Sequence, residues 1–221
     1  CRHLPIVAPR TKSQRSRVVV IMTNDFLNKP AETTADLHPL IRDRWSPRIF
    51  ESGFQLSLEE VQSLGEAFRW SASSFNQQPW HVVFARSSSD LFQGVSEGLN
   101  EFNRQWATGA SVLAVVLANR FEDGSPRDKA ATFYDAGIAS SQLVTQVESM
   151  GLRAHYMGGI EHDALSITLN AVDRDVVCVI AIGKQGSLAN QTEKLITRET
   201  TPRSRLEPSA IYAIDHKILS R

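Results

Sequence analysis

The sequence predicts an α/β (α+β) fold, and three features of the chain support this class. Apolar runs rich in β-branched residues lie at 82–85, 112–117 and 176–182, and continuous runs of this kind are typical of buried strands. Helical spacing of apolar residues alternates with these runs after about residue 35. The chain has 221 residues, which is enough for one well-buried domain, and no linker or repeat divides it.

The first helix is predicted to begin after Ser57. Ser57 and Glu60 have the spacing of a capping box, in which the two side chains satisfy backbone N–H groups at the start of a helix. Val61, Leu64 and Phe68 then follow at helical spacing. These residues predict an amphipathic helix that ends before the first strand.

The longest helix is predicted over residues 129–150, because Gly151 is a good terminating residue. Its centre, residues 136–141, is rich in small side chains, which let another backbone approach closely. We therefore expect this helix in the core, at an interface between two copies of the chain, or in both places. A shorter helix is predicted over 163–170, and the polar residues 184–210 predict an extended C-terminal arm.

The net charge argues against two kinds of partner. Lys plus Arg and Asp plus Glu number 24 each, so the formal net charge is zero. This balance gives no reason to expect binding to nucleic acid or to an anionic membrane. The chain shows no apolar stretch of the length that a signal peptide or a membrane span needs. The default expectation is a cytoplasmic protein.

The N-terminal stretch differs in composition from the rest of the chain. Residues 1–21 contain four Arg and one Lys but neither Asp nor Glu, and Met22 is the first methionine. We expect residues 1–21 to be a disordered basic arm, or a non-native extension upstream of a start at Met22. Residues 22–221 are predicted to form a single domain.

Most motifs for catalysis by side chains are missing from the sequence. Gly-x-Ser-x-Gly, Cys-x-x-Cys, His-Glu-x-x-His, the phosphate-loop lysine motif and Gly-x-Gly-x-x-Gly are all absent. The six histidines are scattered without the spacing of metal ligands. The sequence therefore predicts neither a metal site nor a catalytic side chain.

Uncharged polar residues are concentrated in residues 71–80, which read SASSFNQQPW. Hydroxyls and carboxamides beside a strand suit a flat, polar-rimmed heterocycle better than a metal or a charged peptide. Arg-Ser clusters occur at residues 44–48 and 202–205, and guanidinium groups bind phosphate oxygens in bidentate fashion. A ring site and a phosphate site in one small domain suggest a mononucleotide cofactor.

Each of these features also has an ordinary explanation. A helix that ends near Arg42 would collect basic residues in its last turn. Residues 103–106 are also consistent with a helix end, and residues 156–159 with a glycine turn. The order of the motifs along the chain carries more weight than any one of them.

In this order, the motifs resemble those of the FMN-dependent nitroreductase family from about Leu40 to Leu206. The family's Arg-x-Ser-x-Arg/Lys-x-Phe segment is matched by residues 44–50, and its Ser-Ser-x-Asn-x-Gln-Pro-Trp segment by residues 73–80. The remaining matches are Asn103 before the second strand, Gly151-Leu152, Gly158-Gly159 and Pro-Arg-Ser-Arg-Leu at 202–206.

The resemblance implies a three-layer sandwich, in which a mixed central sheet is flanked by helices, and an intertwined homodimer with two FMN sites at its interface. It also implies a role for each matched residue. The phosphate of FMN would be bound by Arg44, Ser46, Arg203 and Arg205, with the backbone of Trp45 beside them. The pyrimidine edge of the flavin would face Arg48 and Asn103, and its N5 side would face Gly158 and Gly159. The ribityl chain and the ring edge would be lined by Ser73, Ser74, Asn76 and Gln78, some of them from the partner subunit.

The reaction that the resemblance implies is ping-pong oxidoreduction, in which FMN carries the chemistry. NAD(P)H gives hydride and leaves, and an electron-poor small molecule such as a nitroaromatic compound or a quinone takes its place. The same scaffold is also compatible with azoline oxidation, flavin fragmentation or reductive dehalogenation. The alternative of a different class is a flavin-binding module without significant turnover.

Two departures from the family pattern bear on the site. Trp106 falls where some relatives carry a Lys near the flavin. We therefore expect Arg48 to stabilise the reduced cofactor with less help, and the reduction potential to be lower. The connection over residues 119–128 is short where relatives have longer lids, which predicts an open and unselective site.

Overall fold

The computed structural model describes residues 21–23 and 26–215. Almost all of the arm predicted over residues 1–21 lies outside these ranges, so its disorder stays a prediction. In chain order the elements are β1 (Ile21–Thr23), β2 (Phe26–Asn28), α1 (Pro39–Arg42), α2 (Leu58–Arg69), a 3₁₀ turn (Ser74–Asn76), β3 (Trp80–Arg86), α3 (Asp90–Glu97), α4 (Glu101–Ala107), β4 (Val112–Asn119), β5 (Phe121–Glu122), β6 (Ser125–Pro126), α5 (Lys129–Ser149), β7 (Arg153–Met157), α6 (His162–Thr168), β8 (Arg174–Gly183), α7 (Glu193–Thr200) and a second 3₁₀ turn (Pro208–Ala210).

Four strands form the central sheet, in the order β3-β4-β8-β7. Strands β3, β4 and β8 contain the three predicted apolar runs, so these predictions are confirmed. All described pairings within this sheet are antiparallel, whereas the resemblance implies a mixed sheet. The direction of a strand depends on how the intervening helices return the chain to the sheet, and an apolar run does not indicate this direction.

The sequence pattern does not predict β7. Its residues, Arg-Ala-His-Tyr-Met, contain no continuous apolar run, and the glycine turn expected nearby begins only after the strand ends. This strand forms the edge of the sheet, where Tyr156 pairs with Ile180 of β8. Polar and apolar residues mix along such an edge because it is less completely buried than a central strand.

Helices cover both faces of the sheet, which gives the three-layer sandwich that the resemblance implies. Residues of β4 alternate between the two faces. Leu113 and Val115 pack with α3, α4 and α6, whereas Val112 and Ala114 pack with α2 and α5. Because β4 is buried on both faces over its first seven residues, its apolar run is continuous.

The predicted helix signals are confirmed at α2 and α5. The backbone N–H of Glu60 donates to Oγ of Ser57 at 3.1 Å, and the backbone N–H of Ser57 donates to Oε2 of Glu60 at 2.7 Å. Gly151 follows α5 with a φ of 73°, a left-handed conformation that glycine adopts at helix ends. Ala136 and Ala139 are completely buried, so one side of the small-residue centre of α5 lies in the core, whereas Gly137 and Ser141 are exposed.

The C-terminal region is not the extended arm that its polarity predicts. Residues Glu193–Thr200 form α7, whose N-terminus is capped by the Thr192 side chain, which accepts from the backbone N–H of Leu195. Glu199 is the buried residue of this helix, so no apolar stripe in the sequence indicates the helix.

Within the part of the chain that the structure describes, no helix combines the length and the apolar character needed to cross a membrane.

Candidate functional site

The Arg-Ser cluster at residues 44–48 follows α1 and is held from two sides. Nδ1 of His155 on β7 lies 2.8 Å from the carbonyl oxygen of Pro47. The backbone N–H of Arg48 donates to the carboxylate of Glu199 on α7, at 3.1 and 2.9 Å from its two oxygens. The segment is therefore fixed to the edge of the sheet on one side and to the C-terminal region on the other.

Trp45 anchors this segment in the protein interior. The residue is only 4 % exposed, and Nζ of Lys29 lies 4.4 Å from the centre of its ring. An ammonium group over an indole face is attracted by the ring quadrupole. The side chain of Trp45 therefore packs inside the protein, and only its backbone is left to meet a ligand.

Arginines from two distant segments form a basic cluster, which consists of Arg44, Arg203 and Arg205. Nη1 of Arg44 lies 3.5 Å from Oγ of Ser46. Nη1 of Arg203 donates to two backbone carbonyl oxygens, at 2.7 and 2.9 Å. Burial lowers the pKa of Arg203, and the guanidinium groups of Arg44 and Arg205 lower it further. Cations that repel one another in this way attract an anion.

A buried carboxyl group lies beside the basic cluster. Oε2 of Glu148 pairs with Nη1 of Arg153 at 2.7 Å, and its Oε1 has no hydrogen-bond partner among the described residues. Burial raises the pKa of Glu148 to about 7, against the opposing effects of Arg153, Arg44 and Arg203. At neutral pH this carboxyl group therefore offsets only part of the positive charge around it.

The side chain of Arg48 faces α4. Its guanidinium carbon lies 6.0 Å from the ring centres of both Phe102 and Trp106. Its Nε is buried and has no hydrogen-bond partner within the described ranges. Burial lowers the pKa of Arg48, and the Glu199 carboxylate opposes that shift. A half-buried cation with an unpartnered donor suits a ligand that supplies an acceptor.

Asn103 and the glycine pair are in contact, although they are far apart in sequence. Nδ2 of Asn103 donates to the carbonyl oxygen of Gly159 at 2.9 Å. A Cβ atom at Gly159 would collide with the side-chain amides of Asn100 and Asn103, whereas one at Gly158 would meet no atom within 4 Å. Gly159 is therefore required for packing on α4, and Gly158 leaves its backbone open to approach.

The polar loop over residues 73–78 does not meet the basic cluster in the described contacts. The backbone N–H of Gln78 donates to Oγ of Ser73 at 3.0 Å, and its Nε2 donates to the carbonyl oxygen of Asn76 at 2.8 Å. The backbone N–H of Ser74 donates to the carboxylate of Asp135 on α5, at 3.3 Å. The loop is therefore bonded within itself through the side chains of Ser73 and Gln78, and to α5 through the backbone of Ser74.

The loop and the glycine pair lie at opposite edges of the sheet. The loop precedes β3 and the glycine pair follows β7, and these are the two outer strands. Strands lie about 4.8 Å apart, so these edges are separated by roughly 14 Å. One copy of the chain therefore brings together the predicted arginines, Asn103 and glycines, but it does not join the loop to them.

The loop packs against the hairpin formed by β5 and β6, which is the short connection predicted between β4 and α5. Nη1 of Arg127 donates to Oε1 of Gln77 at 3.0 Å. A cavity of about 270 Å³ lies between loop and hairpin. Phe75, Asn76 and Gln78 have φ values of 49°, 57° and 50°, a strained region for residues other than glycine.

Three charged residues that hold the site are not marked by any sequence motif. They are Lys29, Glu148 and Glu199, each 9 % exposed or less. No local sequence pattern indicates them, because only burial distinguishes them from ordinary surface charges.

In the described ranges, no group of three or more His, Cys, Asp or Glu side chains is arranged to hold a metal ion.

At the level of sequence, comparison of this chain with known proteins identifies the nitroreductase family. A model of the nitroreductase family matches residues 41–184 of this chain. The oxygen-insensitive NADPH nitroreductase of Helicobacter acinonychis is 26 % identical over 193 residues, with 70 % of this chain and 90 % of that protein covered.

Solved structures agree with this comparison. The crystal structure of an oxidoreductase containing FMN has a TM-score of 0.79 at 30 % identity, and the match covers 86 % of this chain and 96 % of that one. A protein of Exiguobacterium sibiricum solved in complex with FMN has a TM-score of 0.67 at 20 % identity, and 83 % of this chain and 99 % of that one are covered. At the lower identity, the similarity is one of fold.

Proposed function

The chain belongs to the nitroreductase family, and on this basis we propose that it is an FMN-dependent oxidoreductase that works as a homodimer. It takes hydride from NAD(P)H and passes electrons to an electron-poor small molecule such as a nitroaromatic compound or a quinone. NADPH is supported as a donor by the name of the Helicobacter relative, an NADPH nitroreductase. FMN is supported by two of the similar solved structures, which contain it.

The observation that carries this proposal is the convergence of the basic cluster. Arg44 lies near one end of the described chain and Arg203 near the other, yet Nη1 of Arg203 donates to the carbonyl oxygen of Arg42, two residues before Arg44, at 2.9 Å. Burial and the nearby Arg44 guanidinium group both lower the pKa of Arg203. The phosphate of FMN is a dianion that would relieve this repulsion. A charge-assisted hydrogen bond contributes about 1.5–3 kcal/mol, so a few of them account for tight binding.

The other residues of the site also suit FMN. Arg48 offers a half-buried cation with an unpartnered Nε, and Asn103 extends from the neighbouring helix α4. Both would face the polar edge of the flavin ring. Gly158 has an open backbone that a flat ring can approach closely. Bound FMN supplies the hydride chemistry, so the protein's task is binding, orientation and electrostatics.

The protein's own groups have defined tasks in this scheme. Arg48 keeps a positive charge where negative charge develops, which is the usual form of electrostatic stabilisation. His155 holds Pro47, and thereby the segment 44–48, against β7. Because the donor and the acceptor use the same open site in turn, initial rates are expected to follow a ping-pong pattern.

A homodimer accounts for the position of the polar loop over residues 73–78. Phe75 is 95 % exposed on the loop, and Tyr134 is 71 % exposed on the adjoining part of α5. Exposed patches of large apolar side chains are typical of interfaces. A second copy docked on this surface would receive the loop's Ser73, Ser74, Asn76 and Gln78 at its own flavin.

The visible spectrum of the purified protein, reconstituted with FMN, tests the proposal. We expect flavin bands that stay with the protein after free FMN is removed, and bleaching within seconds on anaerobic addition of NADPH or NADH. Retained FMN that neither donor bleaches would instead indicate a binding module without turnover. A protein that takes up no FMN would overturn the proposal.

A further inference from the structure

Glu199 is the most deeply buried carboxylate described in this protein, at 1 % exposure. It lies in the last turn of α7. Its two oxygens accept from the backbone N–H of Arg48 at 3.1 and 2.9 Å, and Oε1 also accepts from the backbone N–H of Ile49 at 3.3 Å. One side chain therefore binds two successive N–H groups of a segment about 150 residues away.

The backbone of Glu199 is also bound. Nζ of Lys29 donates to the Glu199 carbonyl oxygen at 2.8 Å, and the same ammonium lies 4.4 Å from the ring centre of Trp45. Lys29 therefore joins the end of α7 to Trp45, within the segment 44–48. Its own carbonyl oxygen accepts from Nη1 of Arg203 at 2.7 Å.

Stability alone is a poor explanation for these charges. Burial raises the pKa of Glu199, and the backbone N–H groups of Arg48 and Ile49 and the charges of Lys29 and Arg48 oppose that shift. Buried ion pairs often stabilise a fold no better than apolar residues of similar volume. Their clearest use is to fix one arrangement of the segments that they join.

The joined segments are the two halves of the basic cluster. Arg44 and Ser46 lie just before the residues that Glu199 binds, and Arg203 lies four residues after Glu199 itself. The chain between Glu199 and Arg203 is short, so a shift of α7 relative to residues 44–49 changes the separation of the arginines. The carboxylate bonds directly across this gap, and Nη1 of Arg203 adds a second direct bond by donating to the carbonyl oxygen of Arg42 at 2.9 Å.

We infer that Glu199 is a positioning residue for anion binding: its carboxylate holds Arg48 and Ile49 against α7 and thereby keeps Arg44 and Ser46 in register with Arg203 and Arg205. The inference rests on the proposed function, since it takes the anion to be the phosphate of FMN. Glu199 does not itself touch the ligand in this scheme.

The test compares FMN with riboflavin, which has the same ring and ribityl chain but no phosphate. Glu199→Gln keeps the shape of the side chain and one acceptor oxygen, but it removes the negative charge and replaces the other oxygen with an NH2 group, which can only donate. We expect the Kd for FMN to rise about tenfold or more, since charged hydrogen bonds are lost, and the Kd for riboflavin to change much less. Glu193→Gln, an exposed carboxylate at the start of the same helix, is the matched control and should change neither value.

A double-mutant cycle separates positioning from general destabilisation. If Glu199 acts through the register of the arginines, Glu199→Gln should weaken FMN binding far less in an Arg203→Ala background than in the wild type. Fully additive effects would overturn the inference. The midpoint of thermal unfolding, measured with and without inorganic phosphate, gives a second readout that needs no flavin: phosphate should raise the midpoint of the wild type and raise that of Glu199→Gln less.

Failure of the inference differs from failure of the proposed function. If the wild type binds neither FMN nor phosphate, the proposed function is wrong. If the wild type binds FMN and Glu199→Gln keeps the same ratio of FMN to riboflavin affinity, the positioning role is wrong. Should Glu199→Gln not fold, Glu199→Asp keeps the charge but withdraws the oxygens by one methylene, and the same change in the ratio is expected.

Discussion

Nδ1 of His155 lies 2.8 Å from the carbonyl oxygen of Pro47 and joins β7 to the basic segment at residues 44–48. Burial lowers the pKa of His155 to about 4, although the hydrogen bond to Pro47 opposes the shift. The imidazole is therefore neutral at pH 7, and its Nδ1–H donates to that carbonyl. A neutral donor thus holds the segment without adding to the positive charge nearby.

This relationship predicts a pH dependence of stability. The pKa of His155 is about 4 in the folded protein and 6.5 in the reference state, so the unfolded chain binds more protons between these values. The contribution of His155 to the free energy of unfolding should therefore rise from about pH 4 to about pH 6.5. His155→Asn offers an amide donor that does not titrate and should lose this rise in urea unfolding. An identical pH profile in the variant would contradict the prediction.

The raised pKa of Glu148 predicts that its contribution to the free energy of unfolding changes with pH in the opposite direction. Its pKa is raised from 4.5 to about 7 in the folded protein, so here the folded state binds more protons. Its contribution to stability should fall as pH increases from about 4.5 to about 7 and stay constant above that. Glu148→Gln should remove this fall and expose the rise due to His155. Urea unfolding at closely spaced pH values is the measurement, and a Glu148→Gln profile parallel to that of the wild type would refute it.

Removal of Arg203 should lower both FMN binding and the unfolding temperature, whereas removal of Arg205 should lower only FMN binding. Arg203 donates to the carbonyl oxygens of Lys29 and Arg42, whereas Arg205 is exposed and bonds to the carbonyl of its neighbour Ser204. We expect Arg205→Ala to lose FMN on dialysis while its unfolding temperature without cofactor stays unchanged. Arg203→Ala should lose FMN and also unfold at a lower temperature.

The control for these two variants is Arg86→Ala. Arg86 is an exposed arginine on β3, and its removal should leave both FMN retention and unfolding temperature as in the wild type. Full retention of FMN by Arg205→Ala would show that Arg205 has no part in binding the phosphate.

The reduction potential of bound FMN should depend on Arg48. Its guanidinium carbon lies 6.0 Å from the ring centre of Trp106 on α4. Arg48→Gln removes the positive charge and should lower the midpoint potential by roughly 30 mV or more, since 30 mV corresponds to about 1.4 kcal/mol for a two-electron couple. An anaerobic redox titration measures this, with Arg86→Gln as the control. In the reverse direction, Trp106→Lys should raise the potential.

Phe75 tests the proposed homodimer. The side chain is 95 % exposed in one copy of the chain, so Phe75→Ser removes no contact within that copy. We expect the variant to shift towards a monomer in analytical ultracentrifugation and to bind FMN more weakly. Ile167→Ser changes an equally prominent side chain, 81 % exposed on α6, and should do neither. A dimer of unchanged strength in Phe75→Ser would place the interface elsewhere.

The parts of the fold that the sequence predicts are those with local signals. Each of these signals depends on residues that are close together in the sequence. They are the apolar runs of β3, β4 and β8, the capping box at Ser57 and the glycine after α5. Strand β7 and helix α7 have no such signal. One is an edge strand of mixed polarity, and the other buries a single charged residue, Glu199.

By itself, the sequence determined the fold class, the positions of three buried strands, the longest helix and the family whose motifs the chain carries. The resemblance also implied that Arg44 and Arg203 bind one phosphate. Only the tertiary structure decided that Glu199 and Lys29 join the segments that bear these arginines, and that the loop over residues 73–78 stays apart from them within one copy. The physical reason is that periodicity and capping act over a few residues. Convergence of charges instead depends on how segments about 150 residues apart pack together, and isolated polar residues show no pattern that reveals it.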